Sequence, residues 1–162
     1  MFKTIFILLL ITSLQADKLF FLPDESKQVL KLYKKSILNA KNSIDIAMYN
    51  FSYKPIQRQL LKASKKGVKI DLIFDKKNEE NKKSAYNKLC TKKNFSCYIV
   101  DSAKMHIKAI LIDNEVAMFG SANFKEESFE SNYELIYTTS KKKIINKIES
   151  GFKKLKLESS VR

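Results

Sequence analysis

Only three glycines and two prolines occur among 162 residues, and there is a single histidine. So few backbone breakers exclude a collagen-like or low-complexity chain. Hydrophobic residues at 44% and aromatics at 11% exclude a wholly disordered one. Cysteine is scarce as well, with Cys90 and Cys97 alone, so a structural zinc site lacks ligands. Arginine is nearly absent: Arg58 and Arg162 apart, every basic residue is lysine. Acidic residues are the minority, 17 against 31 basic, and the formal charge is +14. That field favours polyanions, meaning nucleic acid or an anionic lipid surface. A lysine- and asparagine-rich proteome produces the same excess, so charge alone leaves the partner open. The length suits one domain with a core of its own, and neither an internal repeat nor a linker interrupts it.

The amino terminus has the tripartite form of a secretory signal. Lys3 supplies one positive charge, Ile5 to Ile11 is an unbroken apolar run, and Ala16 is a small residue before Asp17. The apolar run falls short of the roughly 20 residues of a membrane span. The expectation is a signal peptide over residues 1–16 and a mature domain over 17–162. The mature protein is then periplasmic, outer-membrane-associated or secreted. A retained anchor or a buried first strand are the alternatives. In an oxidising compartment Cys90 and Cys97 can form a disulfide; two unpaired core thiols is the other reading, and both stay open.

Along the rest of the chain strands and helices alternate. Lys18–Leu22 reads as a strand ended by Pro23. Val29, Tyr33, Ile37 and Ala40 recur at helical spacing from Ser26. Ser43–Tyr49 alternates as a strand, and Pro55 opens a helix that Gly67 ends. Val68 to Phe74 alternates again, a very polar helix is expected over Asn78–Lys92, and a strand at Ser96–Val100. His106–Ile112 and Val116–Phe119 are strands joined by Asp113-Asn114-Glu115, with another at Tyr133–Thr138. Ile144, Ile145, Ile148, Phe152 and Leu155 line one face of a last helix over Lys141–Leu157. The pattern predicts an α/β fold, a mixed β-sheet flanked by helices on both faces.

The chemistry concentrates between His106 and Glu134. Lys108 lies at i+2 from His106, so on a strand both side chains share a face. An imidazole beside an ammonium suits attack on phosphorus, the ammonium neutralising phosphoryl charge. Gly120 lets the backbone approach a ligand closely, and Ser121 and Asn123 supply neutral donors. Each feature alone is ordinary: a strand histidine is more often structural, and Gly-Ser-x-Asn is common turn chemistry. Asp71 and Asp75, at i and i+4 on a strand, suit a metal-dependent nuclease or, more simply, a solvated strand residue and a strand-end carboxylate.

Together, His106-x-Lys108-(x)4-Asp113-(x)6-Gly120-Ser121-x-Asn123 resembles the HKD motif of the phospholipase D superfamily, with every gap matched. Ile46 to Ser52 looks like the strand and loop before that family's first crossover helix, and Asn132-x-Glu134 is similar to its Asn-x-Glu. The likeness is greatest to small single-motif bacterial nucleases with a signal peptide, and to the mitochondrial single-motif members. The resemblance implies two histidines per active site; with one motif per chain, that means a homodimer. One His106 would form a phosphohistidine, and its symmetry mate would protonate the leaving oxygen and then activate water. Lys108 and Asn123 would hold phosphate oxygens with help from Ser121, and Glu134 would accept a hydrogen bond from the imidazole. Asp113 falls at the far end of the strand, so its role would be structural. Neither metal nor cofactor is implied. Nucleic acid is the expected substrate, which lysine–phosphate contacts bind without regard to sequence. Peripheral membrane association suits the same charge. The alternative is a phospholipase acting on a lipid such as cardiolipin, for which Phe51, Tyr53 and Met105 offer little apolar surface. A binder that has lost catalysis has no use for the intact motif.

Overall fold

The computed structural model describes residues 17–161; the expected signal peptide lies outside the described residues. The elements in order are β1 (Lys18–Leu22), α1 (Ser26–Asn39), β2 (Ser43–Met48), α2 (Lys54–Lys65), β3 (Lys69–Asp75) and the short α3 (Lys77–Glu80). They continue with the short α4 (Tyr86–Leu89), β4 (Phe95–Val100), β5 (Lys108–Ile112), β6 (Val116–Gly120), α5 (Glu126–Glu130), β7 (Glu134–Thr139), α6 (Lys142–Leu157) and β8 (Ser160–Val161). All strands join one sheet in the order β1-β7-β6-β5-β2-β3-β4-β8. β2, β3 and β4 run parallel and the remaining pairs are antiparallel, so the sheet is mixed.

Two cores sandwich this sheet. On one face, Val29, Tyr33 and Ile37 of α1 and Ile56, Leu60 and Ala63 of α2 pack against Ile44, Ile46, Ile70, Leu72, Ile110 and Met118. On the other, Ile145 and Phe152 of α6 pack against Ala47, Ile73, Ala109, Leu111 and Ala117. The alternation of each strand decides which residues serve which core, the expected consequence of the two-residue period. Helices therefore flank a mixed sheet on both faces.

Three expectations need correction. The polar helix over 78–92 splits into α3 and α4. Between them Asn81 Oδ1 accepts from the N–H of Lys83 at 3.0 Å and Ser84 Oγ from that of Tyr86 at 3.2 Å. Such local bonds compete with helix propagation. The strand expected from His106 begins at Lys108, because His106 lies in the preceding loop. Asp71 is not a solvated residue but an ion-pair partner of Lys156 from α6, together with Asp45. The short α5 and β8 carried no periodic signal. The two cysteines are joined: a Cys90–Cys97 disulfide ties the end of α4 to β4.

Candidate active site

The site forms where β2, β5 and β6 end on one edge of the sheet. The Tyr49 N–H donates to the Ile107 carbonyl at 3.0 Å, continuing the β2–β5 pairing past the strand ends. Phe51 forms an isolated bridge with Phe124, and the N–H groups of Ser52 and Tyr53 both donate to the Phe124 carbonyl. The Asn50 N–H donates to Asn123 Oδ1 at 3.0 Å. These bonds bring the Tyr49–Tyr53 loop against both halves of the motif. They also orient the Asn123 amide, whose Nδ2 is left as its donor end.

His106 is exposed, and its ring meets that of Tyr49 edge to face with 4.3 Å between centroids. Lys108 Nζ lies 3.2 Å from Nδ1 and 3.3 Å from Nε2, and it donates to the His106 carbonyl at 2.9 Å. The imidazole pKa is lowered from its ordinary value, by desolvation first and then by the charges of Lys108, Lys104 and Lys77, with Asp75 opposing. A depressed pKa favours the neutral, nucleophilic form of the ring. Desolvation likewise lowers the pKa of Lys108, and Glu134 opposes it.

The other motif residues divide between the site and its frame. Ser121 Oγ donates to Glu134 Oε2 and accepts from the Leu135 N–H at 3.0 Å, so this hydroxyl is already engaged. Glu134 also accepts from Asn132 Nδ2 at 3.5 Å. Within one chain its bonds therefore go to Ser121 and Asn132. The reason is topological: β6 separates β7 from β5, so two strand spacings, roughly 10 Å, part Glu134 from His106 within one chain. Gly120 is needed for a close approach, but to the protein itself: a Cβ there would stand 1.8 Å from the Leu135 carbonyl oxygen.

Asp113 stands at the opposite end of β5. Its carboxylate accepts the N–H groups of Lys41, Asn42 and Ser43 at 2.8–2.9 Å, pinning the entry to β2 beside β5. Partial burial raises its pKa, but these three donors outweigh burial and leave it below the ordinary value. Asp113 and Asn114, at φ 53° and 52°, make the left-handed turn into β6, a conformation these two residue types tolerate.

Residues the motif does not contain also build the site. Asp75 is nine-tenths buried, and its carboxylate accepts the backbone N–H groups of Lys77 at 3.2 Å and Met105 at 3.0 Å. The buried Asn78 side chain donates to the carbonyls of Tyr49 at 2.9 Å and Asp75 at 3.1 Å, and accepts from Ser84 Oγ at 2.9 Å. The pair of carboxylates weighed as metal ligands is thus split between an ion pair and a loop anchor. Among the described residues no cluster of histidine, cysteine and carboxylate side chains could hold an ion. The only available sequence signal for this network was a lone Asp at a strand end.

An open groove of about 980 Å³ adjoins the site. Its lining runs from His106, Ile107 and Lys108 past Phe119 to Ile144, Ile148 and Leu155 of α6. Beyond it on the same face Leu19, Phe21 and Leu135 are exposed where α6 does not cover β1 and β7. Phe51 and Met105, by contrast, are buried and give this surface nothing.

Comparison with known proteins places these residues in context. Residues 33–156 match the family described as "Cardiolipin synthase, PLD-like domain". The chain is 29% identical over 141 residues, 81% of its length, to a protein named cardiolipin synthase from Geobacillus thermodenitrificans. It spans only 28% of that relative, and as little of a probable cardiolipin synthase from Bacillus subtilis. Among solved structures, NucT from Helicobacter pylori superposes with a TM-score of 0.85 at 28% identity, over 89% of this chain and 97% of that one. Nuc from Salmonella typhimurium, a phospholipase D family member, gives 0.78 at 21% identity, over 91% and 97%, a likeness of fold alone.

Proposed function

The chain belongs to the phospholipase D-like family, whose enzymes act on phosphodiesters, and from that premise we propose that it is a metal-independent endonuclease working as a homodimer. The observation that carries this reading is the His106–Lys108 pair: an exposed imidazole with an ammonium 3.2 Å from its ring, its pKa shifted downward. In the proposed reaction one His106 nitrogen attacks phosphorus and the P–O bond to the leaving group breaks. The leaving oxygen takes its proton from the second copy's imidazole. That imidazole then removes a proton from water, which attacks phosphorus, breaks the P–N bond and restores the first histidine. Lys108 and Asn123 Nδ2 stabilise charge on the non-bridging oxygens.

Each chain brings one histidine, so the reaction needs two chains. The apolar groove and the uncovered β1–β7 face support such a pairing, because a second copy seated there buries Phe21, Leu135, Ile144 and Ile148 next to His106. The +14 charge supports nucleic acid as the substrate. The disulfide supports a location outside the cytoplasm, in keeping with residues 1–16 as an export signal. One observation favours a second reading: the groove has an apolar lining of the kind an acyl chain needs, and several relatives are named cardiolipin synthases. Hydrolysis of cardiolipin is then the activity, with the same residues.

The test is incubation of purified protein with plasmid, single-stranded DNA, RNA and cardiolipin vesicles in excess EDTA, followed by subunit mixing. Nucleic acid is expected to be cut with chelator present. His106→Ala subunits refolded with an equal amount of wild type should leave about a quarter of dimers fully wild type and total activity near half that of the wild-type input. Undiminished activity with subunit exchange confirmed refutes the shared site, and activity restored only by magnesium refutes the mechanism.

A further inference from the structure

Three ammonium groups converge on one ring beside the nucleophile. Lys77 Nζ lies 3.1 Å from the Tyr49 ring centroid, Lys104 Nζ 5.3 Å and Lys108 Nζ 5.4 Å. Lys108 belongs to the motif; Lys77 comes from α3 and Lys104 from the loop before β5. Neither of these two side chains pairs with a carboxylate among the described residues, whereas the lysines at 76, 125, 141, 153, 154 and 156 each do. A ring face returns about 1 kcal/mol per exposed cation, too little to gather three like charges without an anion to share. Their effect is felt at the phenol, whose pKa is lowered chiefly by the Lys77 ammonium beside it.

This cluster is built rather than incidental. The buried Asp75 carboxylate holds the backbone of Lys77 and of Met105, the neighbour of Lys104, while buried Asn78 holds the carbonyl of Tyr49. One Asp and one Asn thus lock together the three segments that carry Tyr49, Lys77 and Lys104. Random surface lysines have no such shared anchor.

We propose that Tyr49, Lys77 and Lys104 form a second phosphate subsite, which takes the phosphate next to the scissile one along a polynucleotide strand. The inference rests on the nuclease reading and adds a substrate preference to it. Chains with several consecutive phosphodiesters should be favoured over a lone phosphodiester, because only they fill both positions. The lysines bind the flanking phosphate without reading bases, and the Tyr49 ring fixes where their ammonium groups stand.

The test compares a 12-nucleotide single-stranded DNA with bis(p-nitrophenyl) phosphate, which has one phosphodiester and nothing to fill the subsite. Wild type, Lys77→Ala, Lys104→Ala, the double variant and the paired Arg replacements are assayed on both. In the double variant kcat/KM on the oligonucleotide should fall about tenfold further than on the small diester, the scale of one or two charge-assisted bonds. The slope of log kcat/KM against log salt should shrink by about 0.7 for each lysine removed, and the Arg pair should restore both quantities. Equal losses on the two substrates, or an unchanged salt slope, overturn the subsite while wild-type cleavage leaves the nuclease reading intact. A wild type that hydrolyses cardiolipin vesicles but not the oligonucleotide overturns both.

Discussion

Lys156 offers the sharpest test of the packing argument. Its ammonium, from the last turn of α6, bridges Asp45 on β2 and Asp71 on β3, which are direct partners in the parallel ladder. All three side chains are mostly shielded, at 16–26% exposed. Lys156→Met keeps the aliphatic packing and leaves two carboxylates facing each other across one strand spacing. At about 5 Å and an effective dielectric near 20, their repulsion is about 3 kcal/mol, close to the cost of breaking a buried pair. In the wild type desolvation raises the pKa of Asp45, Lys156 opposes the rise, and the Asp71 charge adds a smaller part to it. Burial depresses the pKa of Lys156, but the bonds to Asp45 and Asp71 outweigh it and leave it raised. The signs follow from proton counts. A carboxylate whose folded pKa lies above its unfolded value binds more protons when folded, so stability falls as pH rises through that window. In the variant Asp45 should rise further, and the deficit of about 3 kcal/mol at pH 7 should shrink as pH falls towards 4, by up to about 1.4 kcal/mol per unit. Urea unfolding followed by far-UV circular dichroism at pH 7, 5.5 and 4.5 reads it directly. Asp45→Asn in the same background should recover most of the loss at pH 7. A deficit below 1 kcal/mol at pH 7, or one independent of pH, would refute this account.

The remaining predictions concern the site. With the His106 pKa lowered and both proton states needed in one dimer, the pH–rate profile should be bell-shaped with its optimum acid of about 6.5. Lys104→Ala should move that optimum upward, and an optimum above 7 that ignores Lys104 would contradict the electrostatic reading. Gly120→Ala places a Cβ 1.8 Å from the Leu135 carbonyl oxygen, so β6 and β7 must part by more than 1 Å. The expected loss is about 3 kcal/mol or more with cleavage abolished, and a melting temperature equal to wild type would show the approach is not required.

Much of the fold was legible because its signals are periodic. α1, α2 and α6 each repeat apolar residues at helical spacing, and β2 and β3 alternate over residues that divide between two cores. The motif was legible because its spacing is rigid: a strand, a tight turn and a second strand leave no freedom between His106 and Asn123. The parts that escaped depend on contacts no local pattern encodes. Asn78 looks like one more polar residue in a lysine-rich stretch, yet it is buried because Tyr49 and Ser84 satisfy it. Glu134 carries no periodic signal for its bonds to Ser121 and Asn132, which the β6–β7 pairing brings within reach. At Gly120 the sequence signals a close approach, and chain pairing decides that the Leu135 carbonyl oxygen stands where a Cβ would be.

The groove joins the question of partner to the question of substrate. The ammonium groups of Lys77, Lys104 and Lys108 stand around the Tyr49 ring beside His106. Behind this charged mouth the surface turns apolar, along Ile107, Phe119, Ile144 and Ile148. Such a face left bare in water would promote association, so it calls for a cover. A second copy and an acyl chain compete for that one space. If the chains pair across it, the groove is filled by protein, and the substrate has to be one that the charged mouth alone can hold, as a nucleic-acid strand is. If cardiolipin acyl chains occupy it, pairing on this face is blocked, and the second histidine has to come from elsewhere. Ile148→Glu separates the two cases. On the dimer reading it yields monomers that fold, bind nucleic acid and do not cut it. On the lipid reading it weakens vesicle hydrolysis and leaves the oligomeric state unchanged. Sedimentation velocity run beside the two cleavage assays gives the answer, and a monomeric wild type that cuts DNA at full rate would defeat the argument for pairing across this face.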